Sequence, residues 1–598
     1  MSEFFLELFS EEIPAGLQKN LREKIFEDFK NLFEEKSIRS KKNFSFSTPN
    51  RLVLVFEGLD KQIKIKSKEI RGPKTSAPEQ ALEGFLRSNK INKKDLFKKK
   101  TEKDEFYFYK TVATSLKTHD LLTEFIPKIL SNYQWKKSMK WGEFDLNWGR
   151  PLKSILSIFD KKIVSFKFHH LVSSNLTFLD KDFEDKKRSF ENFKKYNEFF
   201  EKQGEYIDHN KRLKIINKSF SKILRKKRLK INENPKLIDE VVNLVDSPNT
   251  LLCSFDKDFL SVPKEILILT METHQRYFPT FNDKDQITNE FLIVSNKNDN
   301  KGLIKTGNER VVNSRLSDAE FFWNKDKSHN LVKKVSELKS MNFFKGLGTY
   351  FDKVHRMRKL GGMISDELLI SKEKVELSAS ICKTDLTSEL VGEFPELQGL
   401  MGGYFSEHQG FDKDISLAIS EQYLPIGLNS MVPKKPFSVA LSITDKIDTL
   451  VGFFGINEKP TSSKDPLALR RIALGIIRTT IENKKNLKIN YLLNYSSRLY
   501  DDQGYNLDNK DLQNELHDFL KDRFKYYLKE KEIRYDIIEA TLSSFSLNKL
   551  FSSFEKAKCL NKVINSQIGI DINSSFKRAS NILDHEMKNN EIEINDTT

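Results

Sequence analysis

The hydrophobic pattern of this chain changes once, near residue 330, and that change governs what the chain can fold into. Before it, short apolar runs such as FFLELF (from Phe4), RLVLVF (from Arg51), TLLCSF (Thr250 to Phe255) and FLIVSN (Phe291 to Asn296) read as strands. Between the first two lies LQKNLREKIFEDFKNLFEE, where Leu21, Ile25, Phe29 and Phe33 recur every fourth residue, the spacing of one helix face. After residue 330 the pattern is almost wholly helical, interrupted around Pro433 and Pro436 and again around Pro460. The expected fold class is therefore α+β and multidomain. Mixed body domains come first, at 1–170 and 241–329, separated by a Lys-, Asp-, Glu- and Phe-rich segment at 171–240 that reads as an exposed, charged helical arm. Two helical domains follow, at 330–483 and 484–590, and a polar tail at 591–598 is expected to fray.

At roughly 150 residues per domain, 598 residues allow about four domains. No apolar run approaches the roughly 18–20 residues that span a bilayer, so no membrane role is expected. Three cysteines, Cys253, Cys382 and Cys559, lie too far apart in sequence for a local zinc site or a disulfide framework. The first twelve residues are acidic and carry no basic leader, and a cytoplasmic protein is expected. Lys and Arg number 101 against 85 Asp and Glu, a net charge of +16, which suggests a polyanionic partner.

Self-contained catalytic signatures do not occur: no GxxxxGK[ST], no HExxH and no GxSxG, while GLGTY at Gly346 lacks the third glycine of a dinucleotide fingerprint. His169 and His170, the one adjacent histidine pair, would face opposite ways if they sat in a strand. Two basic helices carry more information. In SSKDPLALRRIALGIIRTTIEN, Asp465 can cap with Pro466 at the first helical position, and Leu469, Ile472, Ala473, Ile476, Ile477 and Ile481 form a core face. Arg471, Gly475 and Arg478 align on another face, where a glycine costs about 1 kcal/mol against alanine unless something packs closely. A phosphate chain or a second helix would each suit that face. In HDFLKDRFKYYLKEKEI, Leu520, Phe524, Tyr527 and Leu528 point inward, and Lys521, Lys525 and Lys529 stack one turn apart, diluted by Asp518, Asp522, Glu530 and Glu532. Arg523 and Tyr527 offer planes on which unstacked RNA bases could rest.

Long stretches in a fixed order then carry a resemblance: FFLELFSEEIP near the start, TPNRLVLVFEGL at Thr48, KWGEFDLNWGRP at Lys140, GNERVVNSRLSDAEFFWNKD at Gly307, VGEFPELQGLMGGYF at Val391, DKIDTL at Asp445 and KDPLALRRIALGIIR at Lys464. The chain resembles the β subunits of bacterial heterotetrameric glycyl-tRNA synthetases almost from end to end. Its tail, HDFLKDRFKYYL with FKRASNIL at Phe576, is similar to the α-helical anticodon-binding domain shared with arginyl-tRNA synthetase.

The resemblance implies a ligase whose separate α subunit binds glycine, ATP and Mg2+, while the β subunit holds tRNA(Gly), with α2β2 as the implied assembly. No catalytic residue and no cofactor are then expected in this chain. Lys521, Arg523, Lys525, Lys529, Lys577 and Arg578 would meet the anticodon arm, with Arg471 and Arg478 on the path towards it. Two stretches depart from the family pattern, at Ser462 in KPTSSKDP and at SNLTFLDKDF around Ser173 to Asp182. The 330–483 region also resembles the HD phosphohydrolase fold, whose metal site needs a His, a His-Asp pair and a distant Asp. Here the corresponding residues are His355, Thr384, Asp385 and Asp445, a degenerate set for which no metal is expected. A metal phosphohydrolase with an RNA-binding domain is the alternative reading, and a general RNA-binding scaffold a third.

Overall fold

Phe4, Leu6 and Leu8 point to one side of an extended segment and Phe5 to the other, and all are buried because this strand, Glu3–Ser10, is covered on both faces. The computed structural model describes residues 2–65, 69–89, 91–100, 104–111, 114–179, 186–462, 464–507 and 509–589. The chain divides into two compact units after Arg315. In the first unit an antiparallel five-stranded sheet runs in the order Lys162–Ile163, Leu152–Phe159, Glu3–Ser10, Arg51–Glu57, Lys42–Ser47. One face packs on the helix Ala15–Glu35 through Leu21, Ile25, Phe29 and Phe33, as their spacing predicts.

The other face corrects an expectation. Phe5, Val53, Val55, Leu156 and Ile158 meet Phe190, Tyr196, Phe200 and Ile207, so the helix Phe193–Lys202 is a covering layer of the sheet and no exposed arm. Its aromatic residues, three to four apart, make one apolar face, and its many lysines and glutamates occupy the rest. The next helix, His209–Lys227, is held by the buried Arg212, which donates to the carbonyls of Ser47 (2.7 Å), Tyr206 (2.6 Å) and Val242 (3.0 Å). Inside the sheet Glu7 faces Arg51 at 2.6 Å and accepts the Tyr196 hydroxyl, with the guanidinium between the Phe9 and Phe200 rings.

TLLCSF and FLIVSN form neighbouring strands, Asn249–Ser254 and Ile287–Ser295, with Cys253 opposite Phe291. His169 and His170 lie in no strand: they form the turn between Lys167–Phe168 and Leu171–Val172, where His169 has φ 52° and His170 stacks on Phe144 at 3.7 Å. In the altered 173–182 stretch, Leu176–Phe178 pairs with Lys187–Ser189, while Asp180, Lys181 and Asp182 lie outside the described residues, as does the 591–598 tail.

The second unit is helical apart from one short antiparallel pair, Asn342–Phe344 with Gly348–Thr349. Its central helix, Pro436–Gly455, is buried at every residue from Ser438 to Gly455. Around it, Tyr350–Leu368, Leu469–Glu482, Ile489–Asp502, Leu512–Glu530 and Leu550–Ile564 contribute to one continuous core. The expected division near residue 483 runs through that core, because Ile443, Ile447 and Ile477 pack in the same cluster as Leu492, Leu516, Leu520 and Phe524.

Candidate nucleic-acid interface

The helix Leu469–Glu482 begins at Ala468, whose φ of 56° turns the chain into it. Asp465 does cap this end, since its carboxylate accepts the amides of Leu469 (2.9 Å) and Arg470 (3.0 Å). Pro466 precedes the helix instead of opening it, because the cap reaches in from a turn farther back. Ser462 belongs to a turn closed by the Thr461 amide on the Lys464 carbonyl (2.9 Å). Gly475 marks a close approach: a Cβ there would stand 2.7 Å from Lys446 Cε.

The two arginines on this face separate. Arg478 is buried, its Nε on Glu482 (2.9 Å), Nη1 on the Gly427 carbonyl (2.7 Å) and Nη2 on the Ser430 carbonyl (2.8 Å). All three of its donating nitrogens are engaged within the protein, so its expected place on a tRNA path is corrected to that of a pin for the 427–430 loop. Arg471 is exposed.

The helix Leu512–Glu530 is amphipathic as its pattern predicts, with Leu520, Phe524, Tyr527 and Leu528 buried. Tyr527 packs on Phe554 at 5.6 Å and cannot also carry a base; the exposed ring beside Arg523 is Tyr526, 5.7 Å from the guanidinium. Lys525 is bound to Glu539 at 2.6 Å, and Lys529 is exposed. Lys521 and Lys525 border a cleft of about 690 Å³ together with Glu515, Asp518 and Asp522, so acids alternate with bases along this face. Lys577 and Arg578 are exposed on the helix Gln567–Asn589, where Phe576 and Ile582 are bare as well.

The four residues aligned with a metal site do not form one donor set. Asp445 is ion-paired with Lys383 (2.9 Å) and Lys353 (3.3 Å). Burial alone would raise its carboxyl, but Lys353 and Lys383 outweigh that and hold it well below the carboxylate range. Asp385 accepts the amides of Gly399 and Gly402, and burial pushes it up to about 6 against those amides. Thr384 donates to the Ile381 carbonyl at 2.7 Å. His355 meets Phe351 edge to face at 4.4 Å and lines a different cleft, of about 420 Å³, with Val335, Arg358 and Glu376. Two ammonium groups thus stand against Asp445 where a metal ligand would need a free oxygen, and the residues present do not fit a divalent ion. Among the described residues no three His, Cys, Asp or Glu side chains are grouped to hold one.

Next to this cluster, Asp448 takes Arg356 (2.7 Å) and Lys353 (3.0 Å) with the Tyr500 ring 3.7 Å from the guanidinium. Two acids three residues apart, Asp445 and Asp448, with Lys446 between them in a helix that carries no other charge, were the sequence signal for this buried network. Among the described residues no helix is long and apolar enough to cross a membrane.

A family model described as glycyl-tRNA synthetase beta subunit matches residues 4–543. The glycine–tRNA ligase beta subunit of Rickettsia bellii is 38% identical over 586 residues, covering 98% of this chain and 86% of the relative. Those of Rickettsia canadensis, at 38%, and Rickettsia felis, at 37%, match with the same coverage.

Proposed function

The chain belongs to the glycyl-tRNA synthetase beta subunit family, and from that membership we propose how it divides its labour with a partner. As a glycine–tRNA ligase β subunit it is part of an aminoacyl-tRNA synthetase and works with an α subunit and tRNA. In the proposed assembly, α2β2 in the cytoplasm, ATP and Mg2+ are held at the α subunit, where ATP activates glycine, and this chain binds neither. Its own task is to hold and orient tRNA(Gly). The observation that carries this reading is the match from residue 4 to residue 543, through both compact units.

Cations at the surface, with Arg471, Lys529, Lys577 and Arg578 exposed and Lys521 and Arg523 half-buried, fit the task chemically. Arg471, Lys521, Arg523, Lys529, Lys577 and Arg578 can each exchange a hydrated surface position for a tRNA phosphate, releasing counterions from the polyanion. Lys525, already paired with Glu539, contributes less. Purified alone, the chain is expected to catalyse no glycine-dependent exchange between ATP and pyrophosphate, and addition of the α subunit should give glycine-tRNA charging. Exchange by the isolated chain, free of α by mass spectrometry, would overturn the division of labour.

A further inference from the structure

The first unit carries a small antiparallel sheet in the order Glu69–Lys74, Glu105–Lys110, Leu96–Lys100, with the helix Glu79–Asn89 against its first strand. Phe108 lies opposite both Arg71 and Phe97, and Phe106 opposite both Lys74 and Lys99. Residues two apart on a strand share a face, so one face collects Arg71, Lys74, Phe97, Lys99, Phe106 and Phe108. The rings are offered to solvent in graded fashion: Phe106 is buried beneath the Arg71 guanidinium at 3.5 Å, Phe108 is half-buried, and Phe97 is 36% exposed. Phe97 and Phe108 stack at 6.0 Å with 29° between their planes, and Lys99 stands 5.6 Å from the Phe108 centroid.

Charge selects the occupant. The three strands carry six Lys and Arg side chains against two Glu. Lys99 pairs with Glu69 (2.7 Å) and Lys74 with Asp104 (2.6 Å), but all four side chains are at least 41% exposed, and such pairs yield readily to a phosphate. A protein-docking surface is depleted in lysine at its centre, whereas this face interleaves lysine with aromatic planes. A duplex hides its base faces, so rings at a sheet surface serve unstacked nucleotides, with cations following the backbone.

We propose that this sheet is a second RNA-binding face, taking a single-stranded segment through stacking on Phe97 and phosphate contacts from Arg71 and Lys99. The proposal rests on the reading of the chain as a tRNA-holding subunit, to which it adds a contact in the first unit. The test uses the full chain with two probes, a fluorescent single-stranded oligoadenylate of about twelve nucleotides and glycine tRNA, read by anisotropy across a salt series. Phe97→Ala should weaken oligoadenylate binding at least about five-fold, the low end for loss of one base–aromatic stack, and Phe97→Trp should preserve it. Arg71→Ala and Lys99→Ala should each make the log affinity–log salt slope shallower by about 0.7. If the chain binds tRNA but Phe97→Ala leaves both probes unaffected, the sheet proposal falls and the tRNA reading stands. Phe97-dependent oligoadenylate binding without tRNA binding has the converse meaning. Weakened association with the α subunit at unchanged RNA affinity would make the face a protein contact and overturn the proposal.

Discussion

Arg471 and Arg478 stand on one helix and look equivalent in sequence, yet their surroundings assign them opposite behaviour. Arg478→Ala removes three hydrogen bonds, taking the guanidinium from the Ser430 carbonyl and leaving the Gly427 carbonyl only the Ser430 hydroxyl and amide as donors. It is expected to cost about 2–3 kcal/mol of stability, measured by urea unfolding, with the salt slope of tRNA binding unchanged. Arg471→Ala should stay within about 0.5 kcal/mol of the parent in stability and make that slope shallower by about 1 or less. Lys446 offers a pH test. Its ammonium reaches the Leu424 carbonyl (2.7 Å) and Ser442 Oγ (2.8 Å), and burial pushes it down from 10.5 to about 7, with Lys383 adding to the fall and Asp445 opposing it. Between those two values the unfolded chain binds the proton and the folded chain does not, so this group makes stability rise with pH from about 7 to about 10. Lys446→Met should remove that rise, read as urea midpoints at several pH values through the transition of the helical unit.

At the scale of elements, the spacing of apolar residues foretold the helices Ala15–Glu35, Leu469–Glu482 and Leu512–Glu530 and, for the first and last, the faces they bury, because that periodicity is a property of neighbours along the chain; Leu469–Glu482 is buried all round from Ala473 to Ile481. It could not tell that the central helix Pro436–Gly455 has no solvated face, nor that its acids Asp445 and Asp448 are buried against Lys353, Lys383 and Arg356 from other elements. Gly452 of that helix gives a prediction whose sign packing decides. Glycine inside a helix ordinarily costs about 1 kcal/mol against alanine, so Gly452→Ala should stabilise an isolated helix. Here a Cβ would lie 2.3 Å from Tyr500 Oη, a buried hydroxyl that donates to the Asp448 carbonyl at 3.1 Å. The substitution is therefore expected to lower stability by about 1–3 kcal/mol, seen as a lower melting temperature by circular dichroism. The small basic sheet escaped the pattern of the sequence: LFKKK gathers bases and EFYFYK gathers aromatics, and only strand register sets them side by side on one face.

For the whole molecule, the continuous helical core decides where the chain can be cut. Removal of everything after Asn483 takes away Leu492, Leu516, Leu520 and Phe524, which pack with Ile443, Ile447 and Ile477, and should unfold the helical unit. Removal from Gln567 onward takes away a helix whose only buried described residue is Gly569. That shorter chain should keep its circular dichroism and melting profile while binding glycine tRNA more weakly, because Lys577 and Arg578 go with it. Unchanged tRNA affinity in the folded, shortened chain would remove those two residues from the interface.

The amino-acid sequence by itself determined the types of most elements, the switch from mixed to helical architecture, and, through long ordered motifs, the family. Those features are encoded by residues close together along the chain. The tertiary structure alone decided which charges are free. Arg478 is engaged by carbonyls about fifty positions away, Asp445 by Lys353 and Lys383, and the charged 193–202 segment turns an aromatic face onto strands far upstream. A cation's availability to a phosphate depends on the oxygen nearest it in space, and sequence spacing carries no record of that neighbour.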